Sequence, residues 1–276
     1  MRLPGPLPDG GSGFGAMGDP FDLSAPSFSA LLRRQVPDAF AGTFSGGGPA
    51  APDHVEGTTI VALAYGDGVV IAGDRRATSG NVISKRDMRK VFEADRWSAV
   101  GISGAAGPAM EMAKIFATEL EHYEKVEGAP LSLEGKANKL AQMVRVNLPL
   151  AMQGLVVVPL FAGYDPRDRV ARIYEFDAAG GRYEERRFAS TGSGGRDARG
   201  SLKARYRPDL DRAAAADTVI EALWDAADED SATGGPDLVR GIYPLVAVID
   251  ADGYTELDDQ AVAERVQAVI DGRRGR

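Results

Sequence analysis

The residues best suited to chemistry in this chain are the doublet Thr58-Thr59 and the glycine ahead of it, Gly57. A hydrolase needs a nucleophile and a base, and few side chains here can serve. There is no cysteine, which excludes a thiolate nucleophile, disulfides and zinc–thiolate sites. There are two histidines, His54 and His122. His54 lies in a Gly/Pro-rich stretch. His122 sits between Glu121 and Tyr123, off the apolar stripe of a predicted helix, and suits a solvated position. With two histidines, a histidine-rich metal site cannot be built and a Ser-His-Asp triad has few routes. A chain α-amino group, by contrast, has a reference pKa of about 8. An N-terminal threonine therefore carries nucleophile and base on one residue. Gly57 has no Cβ, so the chain there can adopt the strained conformation in which the Thr58 hydroxyl reaches its own preceding carbonyl. The same doublet equally suits the plain start of a strand, where β-branched residues are favoured.

The glycine-rich stretches carry weaker signals. Gly195 and Gly200, followed by Ser201, Leu202 and Lys203, match a phosphate loop only loosely, because the lysine is displaced from the second glycine. Gly101, Gly104 and Gly107 lack the downstream acidic partner of a dinucleotide fingerprint. They read as a tight strand-to-helix turn, whose backbone N–H groups can face an anion.

The elements that must position these residues begin at Thr58. Residues 1–57 hold 8 of the 16 prolines and 11 of the 34 glycines and show no helix or strand period apart from a short possible helix over 29–35. Such a segment buries too little apolar surface to offset chain entropy. It has no basic region followed by an apolar one, so it is not a secretory signal. It reads as a disordered tail or as a removable prosegment. From residue 59 the texture changes to a hairpin, 59–65 and 69–72, around Gly66-Asp67-Gly68. A second strand pair follows at 90–93 and 97–102. Helices are predicted over 108–126 and over 133–152, the latter N-capped by Ser132 and kinked or ended by Pro149. Strands return at 155–163, 170–176 and 182–188, then an alanine-rich helix at 213–228, a hairpin at 243–250 and 254–257, and a closing helix at 260–270. Grouped strands and grouped helices argue for an α+β fold of antiparallel sheets flanked by helices, against a doubly wound parallel sheet.

Composition closes off other classes. The 276 residues are 44% hydrophobic and 26% charged, ordinary for a globular chain. No apolar run approaches the roughly 18 residues of a membrane span. The net charge is −8 and no Lys/Arg run exceeds a pair, so the basic face of a nucleic-acid binder is missing.

The motifs, taken in order, resemble the proteasome β-type subunits, most closely their actinobacterial branch. Thr58-Thr59-Ile60-Val61-Ala62 after Gly57 is similar to the family's mature start. Ala72-Gly73-Asp74-Arg75-Arg76-Ala77-Thr78 resembles the next block, with Lys90 at the expected interval. Ser103-Gly104-Ala105-Ala106-Gly107, Gly192-Ser193-Gly194 and Asp230-Ser231-Ala232-Thr233-Gly234-Gly235 match the remaining blocks. The likeness runs from Thr58 to about Asp271, and Thr233 stands where many relatives carry serine.

The resemblance implies a four-layer αββα sandwich, the N-terminal-nucleophile hydrolase fold, over residues 58–276, with 1–57 as a prosegment removed by self-cleavage between Gly57 and Thr58. It implies a threonine endopeptidase of a compartmentalised 20S core. Thr58 would be the nucleophile, Lys90 the charge that lowers the amine pKa, and Asp74 the group that holds Lys90 charged. The Gly104 N–H would be the oxyanion donor. Ser193, Asp230 and Thr233 would surround the Thr58 amine. Ala77, Met88, Ile102, Ala106 and Met110 would line the pocket ahead of the scissile bond, favouring apolar side chains. Thr78 would hold the peptide as an added strand. The resemblance further implies stacked seven-membered rings with α-type subunits in an α7β7β7α7 particle, an ATP-dependent unfoldase, polypeptide substrates (tagged ones included), a cytoplasmic setting, and neither metal nor organic cofactor. It leaves open three neighbouring readings: the related two-component bacterial protease with its Thr-Thr start, a non-catalytic ring subunit, and a small-molecule amidase of the same hydrolase group. The long prosegment and the block at 230–235 argue against the first. Thr58, Asp74 and Lys90, all present, argue against the second.

Overall fold

A computed structural model describes residues 57–274. The helix expected over 29–35 lies outside them. Within them, strand β1 (Thr59–Tyr65) turns through Gly66 and Asp67 into β2 (Gly68–Gly73), as the Asp-Gly turn predicts. Both strands are buried on both faces, which is why they read as continuous apolar runs instead of alternating ones. Three further strands, β10 (Phe188–Gly192), β11 (Leu245–Asp250) and β12 (Gly253–Glu256), complete an antiparallel sheet in the order β10-β1-β2-β11-β12. A second antiparallel sheet holds β5 (Val91–Asp95), β6 (Ser98–Gly104), β7 (Val157–Asp165), β8 (Val170–Phe176) and β9 (Arg182–Glu185), in that order. A small hairpin, β3 (Ala77–Ser79) with β4 (Val82–Lys85), stands apart from both.

Side-chain alternation along the strands builds the layers. Ile60 and Ala62 of β1 face the other sheet and pack with Ile71, Ala99, Leu160 and Ile249. Val61 and Leu63, one residue out of step, face α4 (Gly195–Arg205), α5 (Arg212–Glu229) and α6 (Asp259–Arg274). The far face of the second sheet, through Val100, Phe161 and Tyr174, packs on α1 (Ala106–Glu127) and α2 (Leu133–Val146). The result is helix, sheet, sheet, helix, as the resemblance implies. Among the described residues no helix is long and apolar enough to cross a membrane.

Several local expectations hold. Ser132 caps α2, its hydroxyl accepting from the Gly135 N–H at 3.1 Å, and α1 ends in a left-handed Gly128. Others need correction. The helix expected over 133–152 is two helices: α2 stops at Val146, and Pro149 lies in the first turn of a separate short helix, α3 (Leu148–Ala151). Proline lacks the N–H that would bond back to Arg145, so it starts a helix more readily than it continues one. The strand expected over 182–188 is also two. It breaks at the exposed Arg186-Arg187 pair, leaving β9 in one sheet and starting β10 in the other, where Phe188 pairs with Leu63. The loose phosphate-loop match at 195–203 is the helix α4, and the β3–β4 hairpin was not expected.

Candidate active site

The β1–β2 hairpin fixes the first contact. With Ile60 paired to Gly73, the next residue outward on each strand brings Thr59 and Asp74 together. The Thr59 N–H donates to Asp74 Oδ1 at 2.8 Å, and the Asp74 N–H donates back to the Thr59 carbonyl at 3.2 Å. On the other flank β10 pairs with β1 so that Gly192 lies opposite Thr59. That register carries Ser193 to Thr58: its N–H donates to the Thr58 carbonyl at 2.9 Å, and its Oγ accepts from the Thr58 N–H at 3.4 Å.

Lys90 comes from the other sheet, one residue before β5. Its ammonium donates to Asp74 Oδ1 at 2.8 Å, to the Gly57 carbonyl at 3.1 Å and to the Arg76 carbonyl. Thr58, Asp74 and Lys90 are 4%, 1% and 3% exposed. A buried pair of opposite charges with every oxygen occupied is held in one geometry. The other Asp74 oxygen, Oδ2, accepts from the N–H groups of Arg76 and Gly234, both at 2.9 Å.

The loop after α5 closes the site. Asp230 Oδ2 accepts from Ser193 Oγ at 2.5 Å and from Thr233 Oγ1 at 2.6 Å, while Oδ1 accepts from the Ala232 N–H at 3.0 Å. Burial alone would raise the Asp230 pKa; the Ser193 and Thr233 hydroxyls, the Ala232 N–H and the Lys90 charge outweigh it and hold the carboxyl below its ordinary range. Gly57 packs directly on this loop: a Cβ there would lie 2.0 Å from the Ala232 Cβ, so only glycine fits. Its N–H donates to Thr78 Oγ1 at 3.0 Å. Gly104, at the end of β6, has φ +107°, and a Cβ would fall 2.0 Å from the Val156 carbonyl oxygen.

The residues expected to touch substrate fall in two places. Ala77 and Thr78 are buried in β3, and the half-buried Met88 follows that hairpin, its N–H on the Arg75 carbonyl at 2.9 Å. Ala106 and Met110 stand one helical turn apart at the start of α1, Met110 exposed. Ile102 is buried in the core beneath α1, among Ala109 and Met112.

Two further side chains join the candidate site, those of Thr59 and Arg76. Thr59 is fully buried; its Oγ1 lies 2.6 Å from Thr233 Oγ1 and accepts from the Gly194 N–H at 3.1 Å. Arg76 reaches the backbone of the 230–235 loop. The Thr-Thr and Asp-Arg-Arg runs are the sequence signal for them, but their partners lie more than a hundred residues away.

The arrangement places a hydroxyl, a buried ammonium and a hydroxyl–carboxylate network around one peptide bond, Gly57–Thr58. A family model described as proteasome subunit matches residues 55–239, which include every one of these groups. The chain belongs to the proteasome subunit family. Its relatives named proteasome subunit beta include that of Acidimicrobium ferrooxidans, 58% identical over 246 residues and covering 89% of each chain. That of Acidothermus cellulolyticus is 55% identical over 272 residues, covering 96% of this chain and 93% of the relative. That of Streptomyces griseus is 53% identical over 251 residues, covering 90% and 88%. As a proteasome core-protease subunit of this kind, the chain is a threonine peptidase of the N-terminal-nucleophile class, and it assembles with other proteasome subunits.

Proposed function

We propose that Thr58 is the nucleophile of this peptidase and that residues 1–57 are a prosegment which Thr58 itself removes. The observation that carries the reading is the convergence of Lys90, Asp74 and the Ser193–Asp230–Thr233 network on the Gly57–Thr58 bond. In self-cleavage the Thr58 hydroxyl adds to the Gly57 carbonyl, whose oxygen accepts from the Lys90 ammonium. A positive charge there draws electron density off the carbon and favours attack. The acyl group passes from the Thr58 nitrogen to its oxygen, the freed amine takes the hydroxyl proton, and water hydrolyses the ester.

The mature chain then begins with a free amine and a hydroxyl on one residue. In turnover the amine accepts the hydroxyl proton, Thr58 Oγ is acylated, and the amine returns the proton to the leaving amine; water, giving a proton to the same amine, then hydrolyses the ester and frees Thr58. Lys90, held charged by Asp74, favours the neutral amine. Gly104 supplies the backbone N–H for the oxyanion. Peptides lie extended along β3 through the Thr78 backbone, with Ala77, Met88, Ile102, Ala106 and Met110 around an apolar or aromatic side chain. The mature domain is residues 58–276. It works in the cytoplasm in two seven-membered β rings between α-type rings, fed by an ATP-dependent unfoldase that accepts tagged polypeptides.

N-terminal sequencing of assembled particles tests this reading. The expected start is Thr58, leaving 276 − 57 = 219 residues. A particle that starts at Met1, or anywhere other than Thr58, overturns it.

A further inference from the structure

We propose that Arg76 is a positioning residue for this peptidase: its guanidinium ties the loop that carries Asp230 and Thr233 to the Asp74–Lys90 pair. The proposal rests on the placing of Thr58 as nucleophile.

Arg76 meets both halves of the site. Its backbone faces the charged pair, the N–H donating to Asp74 Oδ2 at 2.9 Å and the carbonyl accepting from the Lys90 ammonium. Its side chain faces the other way. One guanidinium nitrogen, Nη1, donates to the Ser231 carbonyl at 3.1 Å and to the Thr233 carbonyl at 3.2 Å, across 155 and 157 residues of sequence. The loop it grips is irregular, so neither strand nor helix satisfies its backbone carbonyls. Fixing the Thr233 carbonyl fixes the Thr233 hydroxyl, which lies 2.6 Å from both Thr59 Oγ1 and Asp230 Oδ2. Asp230 in turn orients Ser193, the hydroxyl that faces the Thr58 nitrogen. The pathway from Arg76 to the reacting residue thus runs through one loop, the Thr233 and Ser193 hydroxyls and the Asp230 carboxylate between them, and Arg76 acts through them.

A planar guanidinium suits this task. It stays charged, and the two N–H bonds of Nη1 are held in one plane and directed at the two carbonyls, whereas the donors of an ammonium rotate about one flexible stem. Displacing a loop that orients a reacting group by as little as about 1 Å can cost about 10²-fold in rate. The guanidinium bonds to the 231 and 233 carbonyls, while the peptide is proposed to lie along the Thr78 backbone, so the loss of this side chain is expected to fall on kcat and to leave KM in place.

The test compares assembled wild-type, Arg76→Lys, Arg76→Ala and Thr58→Ala particles on an apolar fluorogenic peptide, with and without guanidinium ion at a non-denaturing concentration. Arg76→Ala is expected to lower kcat by about 10²-fold with KM unchanged, and to slow prosegment loss in the intact mass. Added guanidinium should restore part of its kcat, and Arg76→Lys should fall between. An unchanged kcat in Arg76→Ala overturns the proposal, as does a loss that neither guanidinium nor Arg76→Lys relieves. If neither Arg76 variant assembles, the arginine serves the fold and the proposal also fails. Turnover by Thr58→Ala would instead overturn the placing of the nucleophile, a result that the Arg76 variants cannot produce.

Discussion

Lys90 is the residue that joins the charged pair to the Gly57–Thr58 bond. Its ammonium joins Asp74, the Arg76 carbonyl and the Gly57 carbonyl, and it is almost wholly buried. Removing one partner of a buried pair leaves the other charge without compensation and costs about 3–5 kcal/mol. Lys90→Ala is therefore expected to lower Tm, to abolish peptide hydrolysis and to leave residues 1–57 attached, since both proposed reactions use the Thr58 hydroxyl. Lys90→Arg should fail as well, because a wide planar fork cannot take the place of a compact ammonium among three fixed acceptors. Intact mass and turnover of the assembled variants check this; normal processing in Lys90→Ala would reduce Lys90 to a structural ion-pair member. At this scale the sequence was informative where chemistry is scarce. Without cysteine and with two unpromising histidines, Thr58 stood out at the edge of a compositional break. What the Arg76 and Thr59 side chains hold was not legible, because their partners come from residue 194 and the 231–233 segment, which no local pattern brings near.

Each element delivers its residue through register. A slip of one position in the β1–β2 pairing would turn Asp74 away from Thr59, and a slip in β1–β10 would remove Ser193 from Thr58. The apolar runs and the Asp-Gly turn made the first hairpin readable. Three elements were hidden for physical reasons. Helix α4 buries only Gly195, Ala198, Ser201 and Leu202, a narrow stripe of mostly small residues with little hydrophobic period. The β9–β10 break has no Gly or Pro to mark it; it occurs where the chain leaves one sheet for the other. The β3–β4 strands are short, and β4 is mostly exposed, so burial leaves no alternation in them. The β6–α1 junction offers a sharp test. Gly104 holds φ +107° with a carbonyl oxygen 2.0 Å from any Cβ, while three residues on Gly107 opens to space. Gly104→Ala is expected to cost about 1–3 kcal/mol and to lower kcat strongly by shifting the proposed oxyanion donor. Gly107→Ala should leave both Tm and turnover near wild type. Equal behaviour of the two variants would separate the junction's backbone conformation from catalysis.

Across the whole molecule, the four layers enclose the Gly57–Thr58 bond between the ends of two sheets and the loop after α5, so folding and the proposed self-cleavage would be coupled through one residue. Thr58→Ala separates them. The contacts recorded for Thr58, its N–H to Ser193 Oγ and its carbonyl from the Ser193 N–H, run through its backbone and survive the change. The apolar faces of β1 start at Ile60 and Val61 and are untouched. The variant should therefore fold, join other proteasome subunits and keep all 276 residues, and it should hydrolyse no peptide, since the chain holds no cysteine to replace the hydroxyl. Thr58→Ser keeps the hydroxyl but loses the β-methyl that restricts its rotamers, so some activity and some processing should remain. The measurement is intact mass together with turnover of an apolar fluorogenic peptide by assembled particles. Turnover by Thr58→Ala near wild type would move the nucleophile to another residue. Failure of Thr58→Ala to assemble, with Thr58→Ser assembling normally, would assign the hydroxyl a part in the fold that the backbone contacts alone do not supply.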